Sequence, residues 1–251
     1  MANRLWVFDL DGTLIDTMFL YGYSYLDAAR LMLEEFGGAA PHVSVLVNLI
    51  KSTNDGLVEA NNPATGKPFH YHRRRFPTAL QESYRQVCAT IGREPKEDVL
   101  SRLWKIGDQV FDPGRYPGVI KPEAAPLLRQ LSRTGDAVVI LTKGDDAVQH
   151  EKLAALKAAG VPYAAGIVVS DGKGHQFATL LDNNHHEYEE FVAVGDTYAA
   201  DIEPAVALGY RGIWLATESW QQVGKMDELR ARARRDGVTV IEHLRELFPL
   251  A

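Results

Sequence analysis

The chain has 251 residues, of which 46% are hydrophobic and 24% charged, and this composition is typical of a soluble globular protein with one or two domains. The formal net charge of −6 argues against general binding to nucleic acid or to anionic membrane surfaces. No apolar run reaches the roughly 20 residues that a membrane-spanning helix needs, and the single cysteine, Cys88, excludes an intrachain disulfide.

These features lead us to expect a cytoplasmic protein. A reducing compartment suits a chain with one cysteine, and we expect Cys88 to be a small buried side chain rather than a nucleophile. The first predicted strand begins within a few residues of Met1, so we also expect no cleaved leader.

The first predicted element is a buried strand at residues 5–8, Leu-Trp-Val-Phe, which leads into Asp9 and Asp11. From about residue 18 to residue 116 the pattern is helical and contains no clear strand. Helices are predicted at 23–36, 43–50, 78–91 and 97–110, and the polar, Gly- and Pro-rich segment 61–77 is predicted to be a long loop. This stretch is too long for a crossover between two strands, and it indicates an inserted domain.

From residue 117 onward, short apolar strands alternate with helical patterns. Strands are predicted at 137–141, 166–169, 191–194, 212–215 and 238–241, and helices at 123–132, 147–159, 201–207 and 226–235. Because the strands are continuously apolar, both faces of the sheet should be covered, as in a parallel sheet. The predicted fold class is α/β, with a doubly wound, Rossmann-like parallel sheet core at residues 1–17 and 117–251 and an inserted all-helical cap domain at 18–116.

The ends of four predicted strands carry the residues best suited to chemistry. Ligands of an open α/β sheet bind beyond the carboxyl ends of the strands, so residues that follow the strands should gather at one edge. They are Asp9 and Asp11 after the first strand, Thr142, Lys143 and Gly144 after the second, Ser170, Asp171 and Lys173 after the third, and Asp196, Thr197 and Asp201 after the fourth. Neighbouring acids repel one another, and a Mg²⁺ ion with oxygen ligands, a lysine and a phosphate substrate would balance their charge.

The spacing of the first two acids has a chemical meaning. Residues i and i+2 of a strand face the same side, so Asp9 and Asp11 can reach one reacting group. One carboxylate can attack phosphorus, while the other donates a proton and later activates water. Gly12 would permit the sharp turn that brings backbone N–H groups towards an anion.

In these motifs the chain resembles the haloacid dehalogenase superfamily, in its phosphatase branch with a helical cap inserted after the first strand. Asp-Leu-Asp-Gly-Thr at 9–13 is similar to the first family motif, Thr142 to the second, Lys173 to the third, and Gly-Asp-Thr-Tyr-Ala-Ala-Asp at 195–201 to the fourth. The order of the motifs and the place of the insertion also agree, so the resemblance covers essentially the whole chain. One departure is Gly174, which follows Lys173 where the family often has a proline.

The resemblance implies a role for each acid. Asp9 would be the nucleophile and a magnesium ligand. Asp11 would be the general acid and base, with its backbone carbonyl on the metal. Asp196 would bind the metal directly, and Asp201 would bind metal-bound water or orient its neighbours.

For the phosphoryl group, the resemblance implies contacts from Thr142 and a lysine. We also expect Lys143 and Gly144, which follow Thr142, to bind the substrate. Three lysines compete for this role, namely Lys143, Lys152 and Lys173. Lys173 is favoured because it follows the third strand and stands at the family's usual distance before the fourth motif. Lys152 lies inside a predicted helix, where a lysine usually belongs to a solvated face.

The expected function is magnesium-dependent hydrolysis of a small phosphorylated metabolite through an aspartyl-phosphate. The alternatives are a phosphomutase of the same fold and a non-enzymatic regulatory protein that binds a phosphorylated ligand. Dehalogenase chemistry is disfavoured because dehalogenases of this type lack the second acid of the first motif, which is Asp11 here.

Other polar motifs have local interpretations. Asp145 and Asp146 are predicted to cap a helix or to occupy its first turn. The arginines at 73–75 could recognise an anionic part of the substrate or belong to a solvated loop. His70 and His72 lack nearby residues that would complete a metal site.

Overall fold

The computed structural model describes residues 3–217, 222 and 224–250 of the chain. The chain divides into two compact units, one formed by residues 1–18 and 116–251 and the other by residues 19–115. We call the first unit the core and the second the insertion.

The core contains a parallel sheet of six strands. Two further short strands, β2 and β3, lie in the insertion. In chain order the strands are β1 (Arg4–Phe8), β2 (Asn61–Asn62), β3 (Lys67–Pro68), β4 (Ala137–Lys143), β5 (Ala165–Val169), β6 (Glu190–Gly195), β7 (Arg211–Leu215) and β8 (Thr239–Ile241). The sheet order is β5-β4-β1-β6-β7-β8, and every neighbouring pair is parallel. All six predicted core strands and the doubly wound α/β class are confirmed.

Strand β1 lies at the centre of this sheet, between β4 and β6. Phe8 stands opposite Ile140 of β4 and Val194 of β6. The side chains from Leu5 to Phe8 are all buried, as a continuously apolar strand of a parallel sheet requires. This register brings the carboxyl ends of the three central strands together.

The helices in chain order are α1 (Thr17–Phe36), α2 (Val43–Gly56), α3 (Arg75–Thr90), α4 (Glu97–Asp108), α5 (Ala124–Arg133), α6 (Asp146–Ala158), α7 (Gly174–Asn184), α8 (Glu203–Val206) and α9 (Met226–Arg235). None of the described helices is long and apolar enough to cross a membrane. Asp145 caps α6, since its side chain accepts a hydrogen bond from the N–H of Val148 at 3.3 Å, and this prediction is confirmed.

Two core helices differ from the prediction. The sequence pattern does not predict helix α7, because this segment begins with Gly174 and ends in Asp-Asn-Asn, all weak helix formers. Its place is fixed by packing, since Phe177 and Leu180 are buried against the sheet. The helix predicted at 201–207 is a π-turn over Tyr198–Ile202 followed by the short α8, and Asp201 lies in that turn.

The insertion contains α2, α3, α4 and most of α1. Tyr25 packs on Phe76 at 5.2 Å between ring centroids, and Phe36 packs on Tyr84 at 5.5 Å. Cys88 is buried in α3, as expected. The expectation of an all-helical insertion misses one feature, since β2 and β3 pair as a short antiparallel hairpin within the segment predicted to be a loop.

Candidate active site

Asp9 is the first residue beyond β1. Its N–H donates to the carbonyl of Val194 at 2.8 Å, so the β1–β6 ladder continues one residue past the strand. Thr13 Oγ1 donates to Asp9 Oδ2 at 2.9 Å, and Lys173 Nζ donates to Asp9 Oδ1 at 2.5 Å. Both oxygens of this buried carboxylate therefore have a fixed donor. Thr13 is not among the predicted site residues. The one feature of the sequence that points to it is its place in the Asp-Leu-Asp-Gly-Thr motif.

Lys173 links two of the strand-end acids. It directly precedes α7, and its buried ammonium group also donates to Asp201 Oδ1 at 2.7 Å. Burial by itself lowers the pKa of Lys173, but the charges of Asp201 and Asp9 outweigh that effect and raise the pKa above its ordinary value. The structure thus places the favoured lysine beside the candidate nucleophile.

Asp9, Asp196 and Asp201 form a buried acidic cluster. One carboxylate oxygen of each residue lies within 4.8 Å of the others. Burial raises the pKa of Asp9 to about 7, against the lowering effect of Lys173, and burial raises the pKa of Asp196 well above its ordinary value. Lys173 therefore does not offset the cost of burying the charges of Asp9 and Asp196. An oxygen-only donor set of this kind fits the Mg²⁺ ion that the sequence predicts.

Backbone contacts hold the two acids of the fourth motif. The N–H of Thr197 donates to Asp201 Oδ2 at 2.9 Å, while Trp214 Nε1 donates to the carbonyl of Asp196 at 2.8 Å. A Cβ on Gly195 would lie 2.3 Å from the Cβ of Asp201. A glycine before Asp196 is therefore what allows Asp201 to pack under the end of β6.

Gly12 forms the turn after the two acids of the first motif. Its φ is +84°, which favours glycine, and its carbonyl accepts a hydrogen bond from Lys121 Nζ. A Cβ at Gly12 would lie 2.3 Å from Asp196 Oδ2. The turn therefore lies directly against one of the candidate metal ligands. Sequence reasoning misses Lys121, since it lies 109 residues from the carbonyl it bonds.

We predict that Gly12→Ala destabilises the core more than Gly209→Ala does. Gly209 is a matched control, because its φ is +90° and no atom outside its own neighbourhood lies within 4 Å of a Cβ built there. The positive φ costs an alanine about 1–2 kcal/mol at either position, and the clash with Asp196 adds about 1–3 kcal/mol for Gly12→Ala alone. Urea denaturation of both variants measures the difference, and equal losses would contradict the close packing of Gly12 on Asp196.

The second motif lies on β4 rather than after it, because this strand extends to Lys143. Among the described residues, the buried Thr142 Oγ1 has no hydrogen-bond partner. Leaving such a group unpaired costs about 1–3 kcal/mol, so this hydroxyl suits a ligand. Gly144 differs, since its N–H already donates to the carbonyl of Val169 at 3.2 Å. The N–H of Gly144 is therefore already used and does not make the predicted contact with phosphate.

Asp11 faces helix α6. Lys152 Nζ lies 2.7 Å from Asp11 Oδ1 and 2.9 Å from Oδ2, and Gln149 Nε2 donates to Oδ2 at 2.8 Å. The interpretation of Lys152 as part of a solvated face is wrong, because its side chain is only 8% exposed. A buried ammonium group needs an acid, and Asp11 is the acid it contacts. Gln149 is also missed by sequence reasoning.

The arginines at 73–75 have partners within the insertion. They lie 5.8, 5.2 and 5.6 Å from the centroids of aromatic rings, which belong to Phe111, Trp104 and Tyr71 respectively. Arg73 also pairs with Asp108 at 3.1 Å. These contacts favour a packing role for the arginines over substrate recognition. Among the described residues, the three-acid cluster is the only potential metal site found, and neither His70 nor His72 belongs to one.

Comparisons with known proteins identify the family of the chain. Residues 4–209 match the family described as haloacid dehalogenase-like hydrolase. A search of curated proteins returns no match.

Solved structures share the fold. A haloacid dehalogenase-like family hydrolase from Xanthomonas campestris is 20% identical with a TM-score of 0.61, and the alignment covers 94% of each chain. A 2-haloacid dehalogenase from Pseudomonas syringae pv. Tomato is 21% identical with a TM-score of 0.51, covering 92% of this chain and 99% of that one. The putative hydrolase YfnB from Bacillus subtilis, bound to magnesium, is 17% identical with a TM-score of 0.50 and the same coverage. Because the family match spans most of the sequence, the chain belongs to the haloacid dehalogenase-like hydrolases.

Proposed function

We propose that this hydrolase cleaves small phosphomonoesters with Mg²⁺ through an aspartyl-phosphate on Asp9. The observation that carries the proposal is the second acid of the first motif. Asp11 is two residues from the buried Asp9 and is held by its own donors from α6. A site with a nucleophilic carboxylate and a separate carboxyl group for proton transfer suits the cleavage of a poor leaving group.

The leaving groups separate phosphatase from dehalogenase chemistry. Halide departs as a stable anion and needs no proton, whereas an alkoxide leaving from phosphorus is strongly basic and gains much from protonation. Several neighbours are described as dehalogenases, but at 16–21% identity their likeness to this chain shows the fold alone. The presence of Asp11 therefore favours phosphate esters as substrates.

In the proposed reaction, Asp9 attacks phosphorus and the bond from phosphorus to the ester oxygen breaks. Asp11 gives its proton to the departing oxygen, so that a neutral alcohol leaves. Water then attacks phosphorus, the bond from phosphorus to the Asp9 oxygen breaks, and Asp11 takes one proton from the water. Inorganic phosphate is released, Asp9 is again a carboxylate and Asp11 is again protonated. Lys173 keeps Asp9 in place through both steps, and Thr142 is proposed to donate to the phosphoryl oxygens.

The metal would be held by Asp9 and Asp196, with Asp201 and the backbone carbonyl of Asp11 completing the protein's contribution. When bound, Mg²⁺ would neutralise acid charge and stabilise charge on the transferring phosphoryl group. We also retain the proposals that the substrate is a small phosphorylated metabolite, that nucleic acid is not a partner and that the protein is cytoplasmic.

A substrate screen tests this proposal. We expect phosphate release from phosphomonoesters such as sugar phosphates, nucleotides and phosphoglycolate, dependent on added Mg²⁺, and no halide release from 2-haloacids. Isomerisation of a sugar phosphate without phosphate release would instead indicate the phosphomutase alternative. Binding of phosphorylated ligands without turnover would indicate the regulatory alternative, and Mg²⁺-independent halide release would contradict the proposal.

A further inference from the structure

The carboxylate of Asp11 accepts hydrogen bonds from one face of helix α6. Its two oxygens accept three contacts, all from Gln149 and Lys152 of α6. These two donors are three residues apart, so they project from the same side of the helix. One rigid element thus holds the side chain that the proposed function uses to move the proton.

The surroundings show that this arrangement is built into the core. Lys152 is buried, and its ammonium lies 5.9 Å from the ring centroid of Tyr116. Gln149 packs over Gly144, where a Cβ would stand 2.3 Å from Gln149 Nε2. Gly144 therefore makes room for the amide that reaches Asp11.

The two oxygens of Asp11 are not equivalent. Oδ2 accepts from Gln149 at 2.8 Å and from Lys152 at 2.9 Å, whereas Oδ1 accepts from Lys152 alone among the contacts found, at 2.7 Å. Oδ1 therefore keeps more free lone-pair capacity than Oδ2. We propose that Gln149 and Lys152 are positioning residues that hold the Asp11 carboxylate in a fixed orientation, and that Oδ1, which has one donor where Oδ2 has two, delivers and receives the proton.

This inference rests on the proposed phosphatase function. It predicts that the activity lost on substitution of Gln149 or Lys152 depends on the leaving group of the substrate. If the two residues orient a proton donor, their loss should harm only reactions in which the leaving group needs a proton. An alkyl phosphate needs one, whereas p-nitrophenyl phosphate expels a stabilised phenolate. The value of kcat/KM reports the steps up to departure of the leaving group, so it isolates this effect from hydrolysis of the aspartyl-phosphate.

The test compares Lys152→Met and Gln149→Met on an alkyl phosphate and on p-nitrophenyl phosphate, both with Mg²⁺. Orienting a general acid accounts for part of its roughly 10²–10⁴-fold effect. We expect Lys152→Met to lower kcat/KM on the alkyl ester by about 10- to 100-fold, and on p-nitrophenyl phosphate by less than about threefold. Gln149→Met should give a smaller loss with the same dependence on the leaving group, and it carries the test if Lys152→Met does not fold.

Lys157→Met is the matched control, since Lys157 is exposed in the last turn of the same helix, and both of its kcat/KM values should stay unchanged. Equal losses on the two esters, or no loss on either, would overturn the positioning role while leaving the phosphatase function intact. If the unmodified protein hydrolysed neither ester with Mg²⁺, the proposed function would fail first and this inference with it.

Discussion

Replacement of Asp9 by asparagine should abolish turnover while leaving the fold intact. An amide is not a nucleophile towards phosphorus, and removal of a covalent nucleophile typically costs at least about 10³-fold in kcat/KM. Asp9 is buried and burial raises its pKa to about 7, so the loss of its charge also relieves repulsion within the acidic cluster. The thermal transition of Asp9→Asn at pH 8 should therefore equal or exceed that of the unmodified protein.

The control for Asp9→Asn is Asp146→Asn, which removes an acid that is 83% exposed in the first turn of α6. We expect normal activity from this variant. Phosphate release with Mg²⁺, together with a thermal melt, measures both properties. If the activity of Asp9→Asn stayed within about tenfold of normal, a group other than Asp9 would have to attack phosphorus.

Lys173→Met should have the largest effect on stability. The substitution removes the ammonium that bonds Asp9 and Asp201, and it leaves these buried acids without that charge. Removal of one partner of a buried ion pair lowers the free energy of unfolding by about 3–5 kcal/mol. Because the pKa of Lys173 is raised above its ordinary 10.5, the stability that its own charge contributes is fully present below about pH 10.5 and is lost as the pH rises through the higher value.

Urea denaturation of metal-free Lys173→Met, followed by the fluorescence of the buried Trp6 and Trp214, measures this loss. Lys157→Met changes the same residue type at an exposed position and should be nearly neutral. Added Mg²⁺ should restore part of the stability of Lys173→Met, since a cation then balances the same acids. A cost below about 1 kcal/mol would contradict the charge balance described for the cluster.

The sequence carries enough information to predict the core sheet and the edge where the acids meet. Runs such as Leu5–Phe8 are apolar throughout, and parallel strands must present their carboxyl ends together. It follows that residues 9, 142 and 196 lie near one another, even though more than 180 positions separate the first from the last.

Contacts made by side chains from helices are less predictable. Lys152 lies in a helix whose pattern does not reveal which lysine faces inward, and only the register of α6 against Asp11 decides that question. Helix α7 forms through burial of Phe177 and Leu180 despite weak local propensity. Its position in turn brings Lys173 to Asp9. Lys173, which the sequence predicts as a site residue, is therefore positioned by a helix that the sequence does not predict.

Transfer of the phosphoryl group to Asp9 is the step on which the proposed reaction depends. Rapid mixing of the protein with a phosphomonoester and Mg²⁺, followed by an acid quench and peptide mass spectrometry, tests it directly. We expect a transient peptide that contains Asp9 and carries one added phosphoryl group. This peptide should be absent from Asp9→Asn and longer-lived in Asp11→Asn, which cannot activate water. Multiple turnovers without any such peptide, or the phosphoryl group on another residue, would show that Asp9 is not the nucleophile.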